Sequence, residues 1–241
     1  MNKVHMRLRT MVDPLSKHRF LSELRPGSAV LDVGCGNGSP SAFRMLAPSI
    51  HYTGVDIAEF GLTAADRQAA DELTFIPSAE FAAGITALGQ RFDAVVSAHN
   101  IEHTEKPDEV LRAMCSVLRG GGRLYLCFPA AESVGFPSRR GALNFFDDPT
   151  HRWLPDIDQM LDIISDSGCS VLTTVRQNRP LIGRILGLCA EPFSRLAGRV
   201  LPFTWHYWGF ESVVIAEKPF RPGTNEFSAT YENNRSAPAK R

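Results

Sequence analysis

The chain has no excess of either charge: Lys and Arg number 26, and so do Asp and Glu, for a formal net charge of zero. A protein that works by neutralising phosphates carries a basic excess, so bulk nucleic-acid binding is excluded and only a local basic patch is left open. Paired cysteines are also missing. The 5 cysteines (Cys35, Cys115, Cys127, Cys169 and Cys189) are scattered, with no C-x-x-C among them. That usage fits reduced thiols and a cytoplasmic protein, and neither a disulfide framework nor a metal site is expected. No apolar run approaches the ~20 residues a membrane-spanning helix needs. The first residues mix polar and apolar types without an apolar stretch, so no signal peptide is expected.

What remains is an ordinary globular composition, 44% hydrophobic and 22% charged over 241 residues, enough for one well-buried α/β domain. Leu15, Leu21 and Leu24 predict a helix over 14–24, closing an N-terminal helical segment 1–24. Strands are predicted at 29–33, 51–56, 73–77, 92–98 and 123–128, with helices at 39–47, 63–73 and 106–119 between them. The triplet Gly120-Gly121-Gly122 is read as the end of the last of these helices. Alternating strands and helices predict a doubly wound, mostly parallel sheet. A helix over 154–167 and two strands, 169–176 and 211–217, follow. The stretch 129–153 reads as a lid loop, 180–210 as an insertion and 220–241 as a flexible tail, leaving 25–219 as the main domain.

The densest signal is Ala29 to Gly38, an apolar strand followed by glycines at alternate positions, Gly34, Gly36 and Gly38. Dinucleotide sites use G-x-G-x-x-G to bring a helix N-terminus onto a pyrophosphate, and this loop is G-x-G-x-G. Asp32 precedes the first glycine by two residues, where a carboxylate repels a pyrophosphate and suits a cation. Asp56 ends the second strand, 22 residues after Gly34, where an acid takes both hydroxyls of a ribose. A ligand with a ribose, an adenine and a positive centre but no phosphate meets all three conditions, and S-adenosylmethionine is such a ligand.

These residues resemble the class I S-adenosylmethionine-dependent methyltransferases, and more narrowly the small type 11 methyltransferase domains. The resemblance rests on Val30 to Gly38, Gly54-Val55-Asp56-Ile57, Phe92 to Ser97, Asn100-Ile101-Glu102-His103, Leu118 to Leu124 and Asp148 to Trp153. It implies a seven-stranded Rossmann-like sheet ending in an antiparallel pair. It also implies that Asp32 and the backbone of Gly34, Cys35, Gly36 and Asn37 face the methionine part, that Asp56 holds the ribose, and that Ile57 packs on the adenine. Ser97, Ala98, His99 and Asn100 would line the other side. Many relatives carry an Asp after the third strand; here Pro77-Ser78-Ala79-Glu80 stands there, which passes the adenine contact to Ser78 or to backbone, or removes it.

For chemistry, His151 beside Asp147 and Asp148 is the first candidate base, because a nearby carboxylate orients an imidazole and raises its basicity, or it is a lid histidine that only organises its loop. His103 is a second candidate, or a histidine that locks its loop; His99 is a cofactor or acceptor contact. Arg139 and Arg140 are candidates for an anionic group on the acceptor, or solvated loop charges, and Trp153 for a wall of its pocket or a pin of the loop to the sheet. The expected acceptor is a small molecule, a sugar or a lipid-linked compound, methylated at oxygen. An NAD-dependent oxidoreductase and a non-catalytic S-adenosylmethionine-binding partner subunit are the rival readings. The insertion interleaves apolar residues with Arg184, Arg195 and Arg199, a pattern that fits a pocket cover, a homodimer contact or a peripheral membrane contact through 180–208.

Overall fold

The computed structural model describes residues 12–220. Parts of the N-terminal segment and nearly all of the tail expected from the sequence lie outside the described residues. Seven strands form one sheet: β1 (Ala29–Val33), β2 (His51–Asp56), β3 (Glu72–Phe75), β4 (Phe92–Ala98), β5 (Leu118–Pro129), β6 (Ser170–Val175) and β7 (Glu211–Glu217). Their spatial order is β3-β2-β1-β4-β5-β7-β6. The first five pair in parallel, and β7 pairs antiparallel to both β5 and β6. The strand order therefore reverses at β1 and β4, the place where such sheets open a crevice at their C-terminal edge.

The helices cover both faces. They are α1 (Lys17–Ser22), α2 (Ser39–Leu46), α3 (Ala64–Ala69), α4 (Phe81–Ala87), α5 (Pro107–Ser116), α6 (Ile157–Asp166), α7 (Leu181–Ala197) and α8 (Thr204–Trp208). One core, around Leu31, Val95, Met114, Leu126 and Met160, fills the side under α4 to α6. The other, around Phe20, Phe43, Tyr52, Val96 and Tyr125, fills the side under α1 and α2. Strands buried on both faces explain why Val30-Leu31 and Val95-Val96 read as unbroken apolar runs.

Several boundaries differ from the sequence expectation, some for a clear local reason. Helix α3 stops at Ala69, four residues short of the expected end, because the Asp71 carboxylate accepts Tyr52 N–H at 2.7 Å and an Arg44 N–H at 2.7 Å. Strand β3 can then start at Glu72. Gly120 to Gly122 do not end a helix; they lie inside β5, beside a register shift between Phe92 and Ala94. A Cβ on Gly122 would sit 2.9 Å from the Phe92 carbonyl oxygen, and Gly121 holds φ 78°, so the glycines build an irregular strand edge. The stretch expected as a lid is folded on itself. Asp147 accepts the N–H groups of Arg139, Leu143 and Asn144 at 2.8–2.9 Å, and two short 3-10 turns, Ala131–Gly135 and Phe145–Asp147, occupy much of it.

Candidate active site: two cavities that share His99

The glycine loop leaves β1 with Gly34 at φ 77°, Gly36 at 45° and Gly38 at 79°, conformations that side chains rarely adopt. Gly34 is required twice over, because a Cβ there would meet the Asn100 side chain at 2.3 Å. Opposite the loop, Asp56 accepts Gly36 N–H at 2.8 Å and Ile57 N–H at 2.7 Å. Burial raises the Asp56 pKa, against the lowering by those N–H groups. Its carboxylate has about four lone-pair sites and so keeps capacity for ligand hydroxyls.

A cavity of about 720 Å³ opens at this edge. Gly34, Gly36 and Asp56 line it on one side, Ile57, Phe60, Ser78 and Phe81 on another, and His99, Asn100 and His103 on a third. A bare-backbone floor, the Asp56 carboxylate beside it and an apolar wall fit a nucleoside; the lining's two other carboxylates, Glu105 and Glu109, face Arg152 at 3.5 Å and Lys106. Its lysine, Lys106, is paired with Glu109 at 3.1 Å. The donor set thus fits the S-adenosylmethionine expected from the sequence better than it fits a pyrophosphate.

A second cavity, of about 560 Å³, lies on the other side of His99. Lys17 and His18 of α1, Asn37, Ala98, Tyr125 and Cys127 line it, with Leu201, Phe203, Trp205, His206 and Glu211 closing it. His99 sits at the C-terminal end of β4 with φ 52°, an uncommon conformation for a residue with a side chain. Its Nε2 lies 2.8 Å from Glu211 Oε1 and its Nδ1 3.3 Å from Glu102 Oε1. Burial alone would lower the His99 pKa. Cys127, Glu102 and Glu211 outweigh it and hold the imidazole well above its ordinary value. The ring is stacked on Phe210 and tilted against Trp205.

Of the residues expected at the cofactor, Gly34, Gly36, Asp56, Ile57, Ser78 and His99 line the first cavity, while Asn37 and Ala98 line the second. Asp32 and Cys35 line neither. The Asp32 carboxylate is buried and accepts the hydroxyls of Ser39 at 2.6 Å and Tyr52 at 2.8 Å. Burial raises its pKa, against the pull of Lys17 and those two hydroxyls. Asp32 thus fixes the start of α2 against β2, and Tyr52, which sequence reasoning did not single out, is its partner. Burial, then Asp32 and Asp56, push the Cys35 thiol up to about 12, so it is inert.

The residues expected to carry the chemistry are placed differently. His151 lines neither cavity: its Nδ1 donates to the Phe145 carbonyl at 2.6 Å, and its ring packs on Phe145 and His103. The carboxylate nearest its Nε2 is Glu102, at 4.0 Å, rather than Asp148. Asp148 accepts the N–H and hydroxyl of Thr150, at 2.9 and 2.6 Å, and lines neither cavity. His103 does face the first cavity, with Nδ1 3.0 Å from the Thr150 hydroxyl. Arg139 is 4% exposed and committed to Glu191 at 2.6 and 2.7 Å and to Ser194 at 2.8 Å, so it clamps α7 to the loop instead of reaching a cavity. Arg140 bridges to the insertion through backbone, donating to Gly198 O at 3.1 Å and accepting from Val200 N–H at 2.9 Å. Trp153 donates to Ile101 O at 3.0 Å and packs on the core. Among the described residues, two groups bring donor atoms within 4.8 Å of one another: His99, Cys127 and Glu211, and Glu102, His103 and His151. Both offer ligand types a divalent cation accepts.

A nucleoside-shaped cavity at the switch point of a 3-2-1-4-5-7-6 sheet defines an enzyme of the class I methyltransferase type. Residues 5–174 match the family model described as a methyltransferase domain, and the chain belongs to that family. It is an S-adenosylmethionine-dependent methyltransferase, and hydride transfer with NAD is set aside. The chain is 27% identical over 183 residues to the ubiquinone biosynthesis O-methyltransferase of Marinobacter nauticus, a match covering 66% of this chain and 76% of that one. It is 33% identical over 107 residues to the 27-O-demethylrifamycin SV methyltransferase of Amycolatopsis mediterranei, covering 43% of this chain and 39% of that one. Among solved structures, it resembles Haemonchus contortus phosphoethanolamine N-methyltransferase 2 in complex with S-adenosyl-L-methionine, at TM-score 0.58 and 18% identity, over 84% of this chain and 51% of that one. It also resembles the cyclase SpnF at TM-score 0.52 and 18% identity, over 91% of this chain and 82% of that one. Such likeness concerns the fold alone, and the two descriptions, a methyltransferase and a cyclase, illustrate that a fold does not fix a reaction.

Proposed function

We propose that this enzyme methylates an oxygen of a small, largely apolar hydroxyl compound, free or lipid-linked, held in the second cavity, and that it works in the cytoplasm. One observation carries the reading: both cavities reach His99, and Glu211 on the acceptor side is joined to it at 2.8 Å. S-adenosylmethionine, when bound, supplies the activated methyl group. The donor cavity would hold it by the glycine floor, by Asp56 at the ribose and by Ile57 beside the adenine. The enzyme's remaining tasks are to align the acceptor oxygen and to manage its proton. His99 orients the Glu211 carboxylate through their 2.8 Å contact, and Glu211 takes the proton of the acceptor hydroxyl. Tyr125, Leu201, Phe203 and Trp205 suit an aromatic or prenyl-like body. Both named relatives are described as acting on oxygen, which supports oxygen over nitrogen.

The test is Glu211→Gln, assayed by S-adenosylhomocysteine release on a panel of alkyl-substituted phenols and catechols. Turnover should fall about a hundredfold, while S-adenosylhomocysteine affinity stays within about twofold of wild type. Unchanged turnover would remove Glu211 from the mechanism. If wild type releases product with no member of the panel, the acceptor class is wrong.

A further inference from the structure

Helix α7 is inside out. The residues it buries are small: Gly183, Gly187 and Ser194. A Cβ on Gly187 would lie 2.3 Å from the Phe203 carbonyl oxygen, and one on Gly183 2.5 Å from His206, so these glycines let α7 seat directly on α8. The side chains it leaves exposed are large and apolar: Leu181, Ile182, Ile185, Leu188, Phe193 and Leu196, with Leu196 at 87%. At 3.6 residues per turn these fall on one side of the helix, opposite the glycines. Ordinary surface helices show the reverse pattern. A contiguous apolar face of this kind marks a surface meant to be covered.

The charge around the face favours one cover. Segment 180–208 contains three arginines, Arg184, Arg195 and Arg199, and a single acid, Glu191. That acid is neutralised by Arg139 at 2.6 Å, whereas Arg184, Arg195 and Arg199 are exposed. An apolar face flanked by exposed arginines fits the interface of an anionic bilayer, where acyl chains take the leucines and headgroup phosphates take the guanidiniums. The chain leaving α7, Val200 to Phe203, directly walls the second cavity. We propose that α7 lies on an anionic membrane surface by its Leu181–Leu196 face, which brings the mouth of that cavity to the lipid. Docking itself does not rest on the acceptor reading: vesicle binding needs no acceptor, and Glu211→Gln leaves it untouched.

The experiment is co-sedimentation of the full chain with phosphatidylcholine vesicles, with and without phosphatidylglycerol. Binding is expected to the anionic vesicles and to weaken with salt. The combined variant Ile185→Ser, Leu188→Ser, Leu196→Ser should bind at least about tenfold less, and Arg184→Glu with Arg195→Glu should lose the preference for anionic lipid. Unchanged S-adenosylhomocysteine titration in both variants reports that they are folded. Failure of the intact chain to sediment overturns the proposal, as does equal binding by the serine variant. A dimer in sedimentation velocity that the serine variant dissolves, with no vesicle binding, would assign the face to a second copy instead.

Discussion

Replacing Arg139 by Met keeps the aliphatic stem and removes the charge, and its outcome separates two roles for this residue. The guanidinium makes two contacts to Glu191, at 2.6 and 2.7 Å, and one to the Ser194 hydroxyl at 2.8 Å, with its side chain only 4% exposed. Glu191 holds Arg139 above its ordinary pKa, so the charge is present at any working pH. Removing one partner of a buried pair costs 3–5 kcal/mol, and because Glu191 keeps some access to water we take about 2–3 kcal/mol here. For a chain of this size, ~1 kcal/mol moves the unfolding midpoint by about 2–4 °C, so the midpoint should drop by roughly 5–10 °C. Amide exchange should rise first in α7, which the pair ties to the loop. S-adenosylhomocysteine affinity should be unaffected, since neither partner lines the donor cavity. A midpoint and an α7 exchange rate equal to wild type, together with a raised KM for acceptor, would refute the clamp and return Arg139 to acceptor binding.

Two pH effects follow with opposite signs. Burial works against Asp147, but the Ser138 hydroxyl and the N–H groups of Arg139, Asn144 and Leu143 outweigh it and hold the carboxyl below its ordinary value of 3.8. Its contribution is therefore present above that value and lost as pH falls through the depressed one. Asp147→Ala should cost about 1–3 kcal/mol at pH 7, and the deficit should shrink in strong acid, read by urea unfolding against pH. His99 is raised in the folded state, so the stability it adds is complete below 6.5 and is lost as pH climbs through the raised value. The slope of the unfolding midpoint on the alkaline side of neutrality should be smaller in Glu211→Gln than in wild type.

The sheet and the donor loop were legible because their signals are local. A buried parallel strand is a short apolar run, and a glycine at φ 77° beside Asn100 admits no other residue without strain. The second cavity and the clamp on α7 were not legible, because their partners come from distant stretches: His99 and Glu211 are 112 residues apart, and Arg139 and Glu191 are 52 apart. His151 next to Asp148 looked like an oriented base by adjacency alone, yet its ring turns to Phe145 and Glu102. The stretch 180–210 reads only as an insertion in the sequence, and its apolar period could not say which face of α7 is buried. The small residues Gly183, Gly187 and Ser194 decided that by permitting closer approach. Of the stretch 129–153, Pro149, Thr150 and Arg152 line the first cavity, while Tyr125, Leu201, Phe203 and Trp205 line the second.

The central claim is that the methyl donor sits on the Gly34–Asp56 side of His99. Calorimetric titration of S-adenosylhomocysteine into wild type, Gly34→Ala and Asp56→Ala tests it most directly. Gly34→Ala forces a Cβ to 2.3 Å from Asn100, and Asp56→Ala removes the carboxylate facing the glycine loop, so each should weaken binding more than about tenfold. Folded variants that bind S-adenosylhomocysteine as tightly as wild type would contradict the placement of the donor.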